Sequence, residues 1–157
     1  MARAQARRLR VVQGGPPPLV REDALPIARR HVPVVELGIA AGVGRELWDE
    51  PAEAWVELPN DTPAGEYVAL RIVGDSMAPL MHTGDTVLVR RGADVKRDTV
   101  IVARHPDDGY VCKRVSRVRR TSIELASLAP GRPPIAIQRD ARLVVGTVML
   151  VWCTHRQ

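Results

Sequence analysis

Short runs of apolar and β-branched residues, separated by turn residues, recur along most of this chain. In Glu53–Leu58, for instance, apolar and polar side chains alternate, as in a strand with one buried face. Further strands are predicted at Val32–Ile39, Tyr67–Val73, Thr86–Val89, Thr99–Ala103, Tyr110–Val115 and near residues 121–128, 134–138 and 141–152. Because turn signals recur about every eight to twelve residues, the pattern predicts a mainly β fold of coiled strands with short helical turns.

The composition also favours many strands and turns over long helices. The 157 residues include 13 prolines and 12 glycines, and hydrophobic residues make up 45% of the chain. This length fits one domain. Since phenylalanine is absent, the core must consist mainly of Val, Leu, Ile and Ala. We assign the three tryptophans to core or dimer packing; they are Trp48, Trp55 and Trp152.

The net charge of +5 resides at the start of the chain. Residues 1–32 carry seven arginines and two acidic residues, whereas the other 125 residues balance 16 basic against 16 acidic side chains. We therefore predict a basic, disordered arm over residues 1–31 and one folded domain over residues 32–157. A solvated arm is the default for such a segment, and contact with phosphates is the alternative. Residues 21–31 are too few for a helix-turn-helix unit, so no sequence-specific DNA binding is expected.

The sequence shows no sign of a membrane span, a disulfide framework or a metal site. Its longest apolar run, Leu143–Cys153, is too short to cross a bilayer, and no signal-peptide core follows the N-terminal arginines. Cys112 and Cys153 form no CxxC motif, which favours a reducing, cytoplasmic location. The four histidines lack metal-ligand spacing and are expected at the surface, so no metal or cofactor is predicted. They are His31, His82, His105 and His155.

One serine stands directly after a predicted strand. The motif GDSMAP at residues 74–79 follows Tyr67–Val73 and forms a sharp turn that would expose Ser76. A serine in this position either caps a helix or acts as a nucleophile. No Ser/His/Asp arrangement competes for the chemistry, and a lysine and an Ala-Gly pair elsewhere in the chain favour the nucleophile.

A lysine in a later predicted strand is the candidate general base. Within Tyr110–Val115, alternation places Lys113 on one face with Val111 and Val115. The structural alternative is an edge-strand lysine that reaches water. To act as a base at pH 7, the amine needs its pKa lowered from ~10.4 to about 7. This shift corresponds to roughly 4.6 kcal/mol, and burial can cause a pKa shift of that size. A neutral lysine beside a serine hydroxyl can then accept its proton without a histidine.

These motifs resemble those of the LexA-like self-cleaving serine peptidase family, which includes LexA-type and lambda-type repressors and UmuD-type polymerase accessory proteins. The resemblance lies in GDSMAP at residues 74–79, GD at residues 84–85 and VCKR at residues 111–114. Upstream, VPVVELGIAAG at residues 32–42 resembles the segment that holds the family's Ala-Gly cleavage site. The similarity covers residues 32–152, and the spacings agree, with 34 residues from Gly42 to Ser76 and 37 from Ser76 to Lys113.

The resemblance implies a LexA-like peptidase fold of highly twisted strands with a mobile N-terminal arm. It implies a Ser/Lys dyad, with Ser76 as nucleophile and Lys113 as general base. The backbone N–H groups of Asp75 and Ser76 are the implied oxyanion hole. The implied scissile bond joins Ala41 and Gly42 of the same chain, within a cleavage-site segment over residues 32–45.

The resemblance also implies partners and a cellular role. We expect a homodimer, activation by a RecA filament on single-stranded DNA, and an error-prone DNA polymerase as a partner. The short arm is closest in layout to UmuD-type accessory proteins of the SOS response to DNA damage. The alternative is a repressor relative without a DNA-binding domain, which acts as a regulatory dimerisation module and cleaves weakly or not at all. A third possibility is a peptidase that acts on another chain, and the lack of a membrane anchor weighs against it.

Overall fold

The computed structural model describes residues 11–12, 31–37, 52, 54–92, 94–107 and 109–153. Nearly all regular structure in these ranges is extended, and its strands are β1 (Val11–Val12), β2 (His31–Glu36), β3 (Ala54–Glu57), β4 (Tyr67–Arg71), β5 (Thr86–Arg91), β6 (Val100–His105), β7 (Gly109–Val118), β8 (Ser122–Ala126), β9 (Ile135–Gln138) and β10 (Val144–Trp152). The predicted mainly β fold is therefore confirmed.

All of these strands belong to one mixed sheet with the order β1-β3-β2-β4-β5-β10-β6-β7-β8-β9. Strands β6 to β9 follow one another as antiparallel neighbours, as short turns between strands allow. In the described sheet, four pairings join strands that are not consecutive in the chain: β1 with β3, β2 with β4, and β10 with both β5 and β6. β2 runs parallel to β4, and β10 inserts between β5 and β6, so that Thr147 pairs with both Arg90 and Ile101.

The last predicted strand starts later than expected. The sequence pattern predicts a strand over residues 141–152, but Ala141–Leu143 forms one turn of 3-10 helix and β10 begins at Val144. Asp140 causes the difference, because its side chain accepts a hydrogen bond from the Arg142 N–H at 2.9 Å and so caps the short helix. Apolar residues alone do not distinguish this capped turn from the strand that follows it.

The buried side chains form three clusters, and aliphatic residues dominate each of them. The first packs residues of β4 and β5 against Met77 and Met81, which are 2% and 0% exposed. The second lies around β2 and β3 and contains Trp152, which confirms the core assignment of that tryptophan. The third lies among β6, β7, β8 and β10 and includes Ile101 and Val115. Trp55 is half-buried in β3, and Trp48 lies outside the described residues.

Only a small part of the predicted basic arm falls within the described residues. Val11 and Val12 pair with Val56 and Trp55 at the edge of the sheet. The rest of residues 1–30 lies outside the described ranges, and the domain boundary near residue 31 stays a prediction. In the described ranges, we find no helix with the length and apolarity needed to cross a bilayer.

Gly146, within β10, occupies a position where the sheet has no room for a side chain. A Cβ atom there would overlap the carbonyl group of Arg90 and would lie 2.9 Å from Val89 Cγ1. Because strand β5 would have to move away, we expect Gly146→Ala to lower the free energy of unfolding by about 3 kcal/mol. Urea unfolding of the purified variant measures this loss.

Gly131 offers a matched control for that substitution. Its φ is +80° and nothing lies within 4 Å of the position of an added Cβ atom, so Gly131→Ala introduces backbone strain without overlap. That strain is expected to cost about 1–2 kcal/mol. Equal losses of stability in the two variants would contradict the close approach of β5 to Gly146.

Candidate active site

Ser76 lies in a compact turn that follows β4, here called the serine turn and comprising residues 74–80. Hydrogen bonds from Ala78 N–H to the Asp75 carbonyl, at 3.1 Å, and from Leu80 N–H to the Met77 carbonyl, at 3.0 Å, define the turn. The peptide bond between Ala78 and Pro79 is cis. Because the Met77 side chain is buried in the core, the turn is anchored and the neighbouring Ser76 is left half-buried.

The Gly84-Asp85 motif closes the loop that carries the serine turn. Ile72 and the motif exchange backbone hydrogen bonds, from Gly84 N–H to the Ile72 carbonyl at 2.9 Å and from Ile72 N–H to the Asp85 carbonyl at 2.8 Å. The Asp85 carboxylate, 3% exposed, accepts from the His82 N–H at 2.8 Å. Gly84 has φ +92°, which a glycine adopts without strain. The motif therefore serves the geometry of the loop.

Asp75, the residue before the serine, uses its side chain within the same loop. Its Oδ1 atom accepts a hydrogen bond from the Thr83 N–H at 3.4 Å, and the Thr83 hydroxyl accepts from the Gly74 N–H at 2.8 Å. The exposed His82 ring lies 3.9 Å from the same carboxylate oxygen. The histidine nearest to the serine in sequence thus contacts Asp75.

Lys113 lies in β7 between two strands and is half-buried. In the register with β6 it stands opposite Ile101, which is fully buried, and its neighbour Val111 stands opposite Ala103. Val111 and Val115 pack in the third core cluster, together with Ile101. The predicted apolar surroundings of Lys113 are therefore present along the stem of its side chain.

Three residues directly after β8 connect Lys113 with the serine turn. We call them the 127–129 segment: Ser127, Leu128 and Ala129. Lys113 Nζ donates a hydrogen bond to Ser127 Oγ at 2.8 Å. The N–H groups of Leu128 and Ala129 both donate to the carbonyl oxygen of Ser76, each at 3.0 Å. The structure thus brings Lys113 and Ser76 to the same short segment, although they are 37 residues apart in sequence.

Ser76 keeps its reactive groups available. Among the residues that the structure describes, its hydroxyl makes no hydrogen bond, and the N–H groups of Asp75 and Ser76 have no acceptor. The amine of Lys113 contacts Ser127 and is not hydrogen-bonded to the Ser76 hydroxyl. Ala41 and Gly42 lie outside the described residues, so the predicted scissile bond and the roles of the site residues stay predictions.

Sequence reasoning missed Ser127, although the chain contains a signal for it. The β7–β8 register pairs Arg114 with Ala126 and Val115 with Leu125. Continuing this register by one residue places Ser127 opposite Lys113, where side chains of neighbouring strands meet. The correct register, however, could not be read from the residues alone, because a bulge follows Val115.

Cys112, next to the lysine, is no competing nucleophile. Burial raises the pKa of its thiol to about 12, although the charge of Lys113 acts in the opposite direction. Its Sγ atom lies 3.7 Å from Met81 Sδ in the first core cluster. Since the thiolate is the reactive form, this cysteine stays inert near neutral pH. No group of potential metal ligands occurs within the part of the chain that the structure covers.

Comparison with known proteins assigns the family. Residues 33–149 match the family model described as Peptidase S24-like. The LexA repressor of Gluconacetobacter diazotrophicus is 33% identical over 113 residues, which are 71% of this chain and 44% of that protein. LexA repressor 1 of Xanthomonas campestris pv. campestris is 32% identical over 141 residues, which are 88% of this chain and 64% of that protein. This chain thus spans less than two thirds of the length of either relative.

The family model covers most of the chain, including the serine turn, β7 and the 127–129 segment. The LexA-like resemblance of the sequence motifs is thereby confirmed. With a mainly β sheet that carries these motifs, the chain belongs to the Peptidase S24-like family, a family of the self-cleaving peptidase and repressor type.

Proposed function

We propose that this chain is a serine endopeptidase that cleaves its own Ala41–Gly42 bond with Ser76 as nucleophile and Lys113 as general base. The observation that supports this most is the hydrogen bonding of both residues to the 127–129 segment, which holds the amine and the serine backbone close to each other. Apolar residues of β6 and β7, among them Ile101, Val111 and Val115, lie beside Lys113 in the sheet, as the proposal expects for this lysine.

The chemistry follows from these two groups. The proton of the Ser76 hydroxyl moves to neutral Lys113 Nζ while Ser76 Oγ forms a bond to the carbonyl carbon of Ala41. The C–N bond to Gly42 then breaks, and the Lys113 ammonium returns the proton to the departing amine. Water, activated by the same amine, hydrolyses the ester between Ser76 and Ala41. The hydrolysis moves a proton twice, from water to Lys113 Nζ and from there to Ser76 Oγ as the ester bond breaks, and no step needs a cofactor.

The developing negative charge on the Ala41 oxygen needs hydrogen-bond donors. The N–H groups of Asp75 and Ser76 can fill this role, since neither has an acceptor among the described residues. Backbone donors fixed in this way stabilise the transition state without reorganisation, and one such donor contributes about 3 kcal/mol. The serine turn supplies the required rigidity, because its conformation is held by Met77 and by the 127–129 segment.

Incubation of the purified protein at about pH 10, where a larger fraction of lysine is neutral, tests this proposal directly. We expect two fragments of 41 and 116 residues, with Gly42 as the new N-terminal residue of the larger one. Since the reaction is intramolecular, its first-order rate is expected to be independent of protein concentration. An intact chain, or cleavage only at other bonds, would contradict the assignment.

For the cellular role we propose a UmuD-like accessory protein in the SOS response to DNA damage. Two LexA repressors among its relatives support a setting of this kind. The proposed partners are a second copy of the chain, a RecA filament on single-stranded DNA as activator, and an error-prone DNA polymerase. The activator is tested by adding such filaments at neutral pH. They should accelerate cleavage by favouring the state in which the cleavage-site segment lies against Ser76.

A regulatory dimerisation module with weak or no cleavage is the second candidate function. The contact of Lys113 Nζ with Ser127, in place of the Ser76 hydroxyl, is the observation in its favour. The alkaline incubation separates the two candidates, because the module yields no fragments. We favour the peptidase because catalytic hydrogen bonds often form only when the substrate is bound.

A further inference from the structure

Ser127 holds a position that links the two proposed catalytic groups. It is half-buried, directly follows β8, and continues the antiparallel register that brings Ala126 opposite Arg114. Its hydroxyl oxygen lies 2.8 Å from Lys113 Nζ, a distance within the normal range of N–H···O hydrogen bonds. The head group of the lysine is therefore held by the side chain of a residue that directly follows β8.

The two residues that follow Ser127 are attached to the nucleophile. Leu128 and Ala129 both direct their N–H groups at the Ser76 carbonyl, so the serine backbone is bound twice to the same segment. A carbonyl oxygen with two donors cannot rotate freely about its neighbouring bonds without losing at least one hydrogen bond. The 127–129 segment thus fixes the distance between the nucleophile's backbone and the amine.

We propose that Ser127 is a positioning residue for self-cleavage. Its hydroxyl oxygen orients the Lys113 amine by accepting a hydrogen bond from one of the N–H groups of the amine. The inference rests on the proposed function of Ser76 and Lys113 and extends it to a third side chain. Among the described residues, the Ser127 hydroxyl makes no hydrogen bond with the Ser76 hydroxyl, so the proposed effect of Ser127 on the nucleophile passes through the lysine.

The chemistry of an amine explains why such an acceptor matters. Neutral Lys113 has two N–H donors and one lone pair, and only the lone pair can take the Ser76 proton. When one N–H is donated to Ser127, rotation of the head group is restricted, and the directions that remain for the lone pair are limited. Without the hydroxyl, one of the contacts that hold the head group is lost, so unproductive orientations of the amine become more frequent. A loss of orientation on this scale lowers rates by about 10- to 100-fold.

The test compares Ser127→Ala with Ser127→Thr, which keeps the hydroxyl, and with Ser122→Ala as a control. Ser122 is a half-buried serine at the start of β8, the strand that Ser127 follows, and within the described residues its hydroxyl makes no hydrogen bond. Two rates are measured at about pH 10: first-order self-cleavage, and covalent labelling of Ser76 by a small fluorophosphonate. The labelling reaction needs the nucleophile and its base but does not need the cleavage segment.

We expect Ser127→Ala to lower both rates about 10- to 100-fold, Ser127→Thr to restore most of each, and Ser122→Ala to change neither. The urea midpoints of the variants show whether the folded fraction is preserved. Unchanged rates in Ser127→Ala would overturn the inference, and so would losses that the unfolded fraction explains. Losses that threonine fails to restore would overturn it as well, because a lost hydroxyl would not be their cause.

Failure of the proposed function has a different signature. A wild-type chain that neither cleaves nor reacts with the fluorophosphonate would overturn the Ser/Lys assignment and this inference with it. A wild-type chain that reacts but does not cleave would contradict only the proposed cleavage site. In that case the labelling rates of the Ser127 variants still decide between a positioning role and a structural one.

Discussion

Ser76→Ala is expected to abolish self-cleavage, so that the chain stays intact at alkaline pH. The substitution removes the oxygen atom that is proposed to attack the Ala41 carbonyl, and loss of a nucleophile of this kind lowers the rate by about 10⁴-fold or more. Stability should be unaffected, because the Ser76 hydroxyl makes no hydrogen bond to any described residue and the two bonds to its carbonyl involve only backbone. Fragment formation followed by gel electrophoresis and mass spectrometry measures the rate.

Ser116→Ala is the control for that experiment. Like Ser76, Ser116 is half-buried, but it lies on β7. Its hydroxyl donates to the Glu124 carboxylate at 2.9 Å within the same hairpin. This variant loses a hydrogen bond but no proposed catalytic group, so it should cleave at the wild-type rate. Residual cleavage in Ser76→Ala at the rate of Ser116→Ala would show that another group, or a contaminating protease, cuts the chain.

Lys113→Arg and Lys113→Met are both expected to be inactive at every pH. Arginine keeps the positive charge but does not lose its proton under these conditions, whereas methionine keeps the apolar stem without any base. For the wild type, the amine must lose its proton before it can accept another. The wild-type rate should therefore rise with pH and level off once the amine is neutral, while both variants stay lower by about 10³-fold or more at every pH.

The second lysine of the chain provides the matched control. The sequence contains only two lysines, Lys96 and Lys113, among 23 basic residues. Lys96 is largely exposed and lies 3.4 Å from the Asp94 carboxylate, so Lys96→Met should cleave with the same pH profile as the wild type. A Lys113→Arg chain that cleaved at alkaline pH would exclude Lys113 as the general base. Another residue would then have to activate Ser76.

The local features of this molecule could be predicted because short-range chemistry determines them. Alternation identified β3, and a β-branched run followed by a Gly-Asp turn identified β4 and the position of Ser76 at its end. Lys113 was predicted to share a face with Val111 and Val115, and those valines do pack in one core cluster. In each case, residues near each other in sequence decide the outcome.

The features that could not be predicted depend on partners far away in sequence. Nothing in residues 144–152 indicates that they pair with β5 on one side and β6 on the other, since an apolar strand fits many sheet positions. The contact between Ser127 and Lys113 likewise depends on the register of a hairpin that contains a bulge. Asp140 is a further example, because a single cap changed the start of β10.

The placement of β10 also affects the order in which the sheet can form during synthesis. Within the described sheet, β10 lies between the half that ends at β5, which bears the serine turn, and the half that starts at β6, which bears Lys113. Because domains generally fold as units, the two halves reach their final arrangement only once residues 144–152 are available. The serine turn and Lys113 are therefore both translated before the strand that completes the sheet between them.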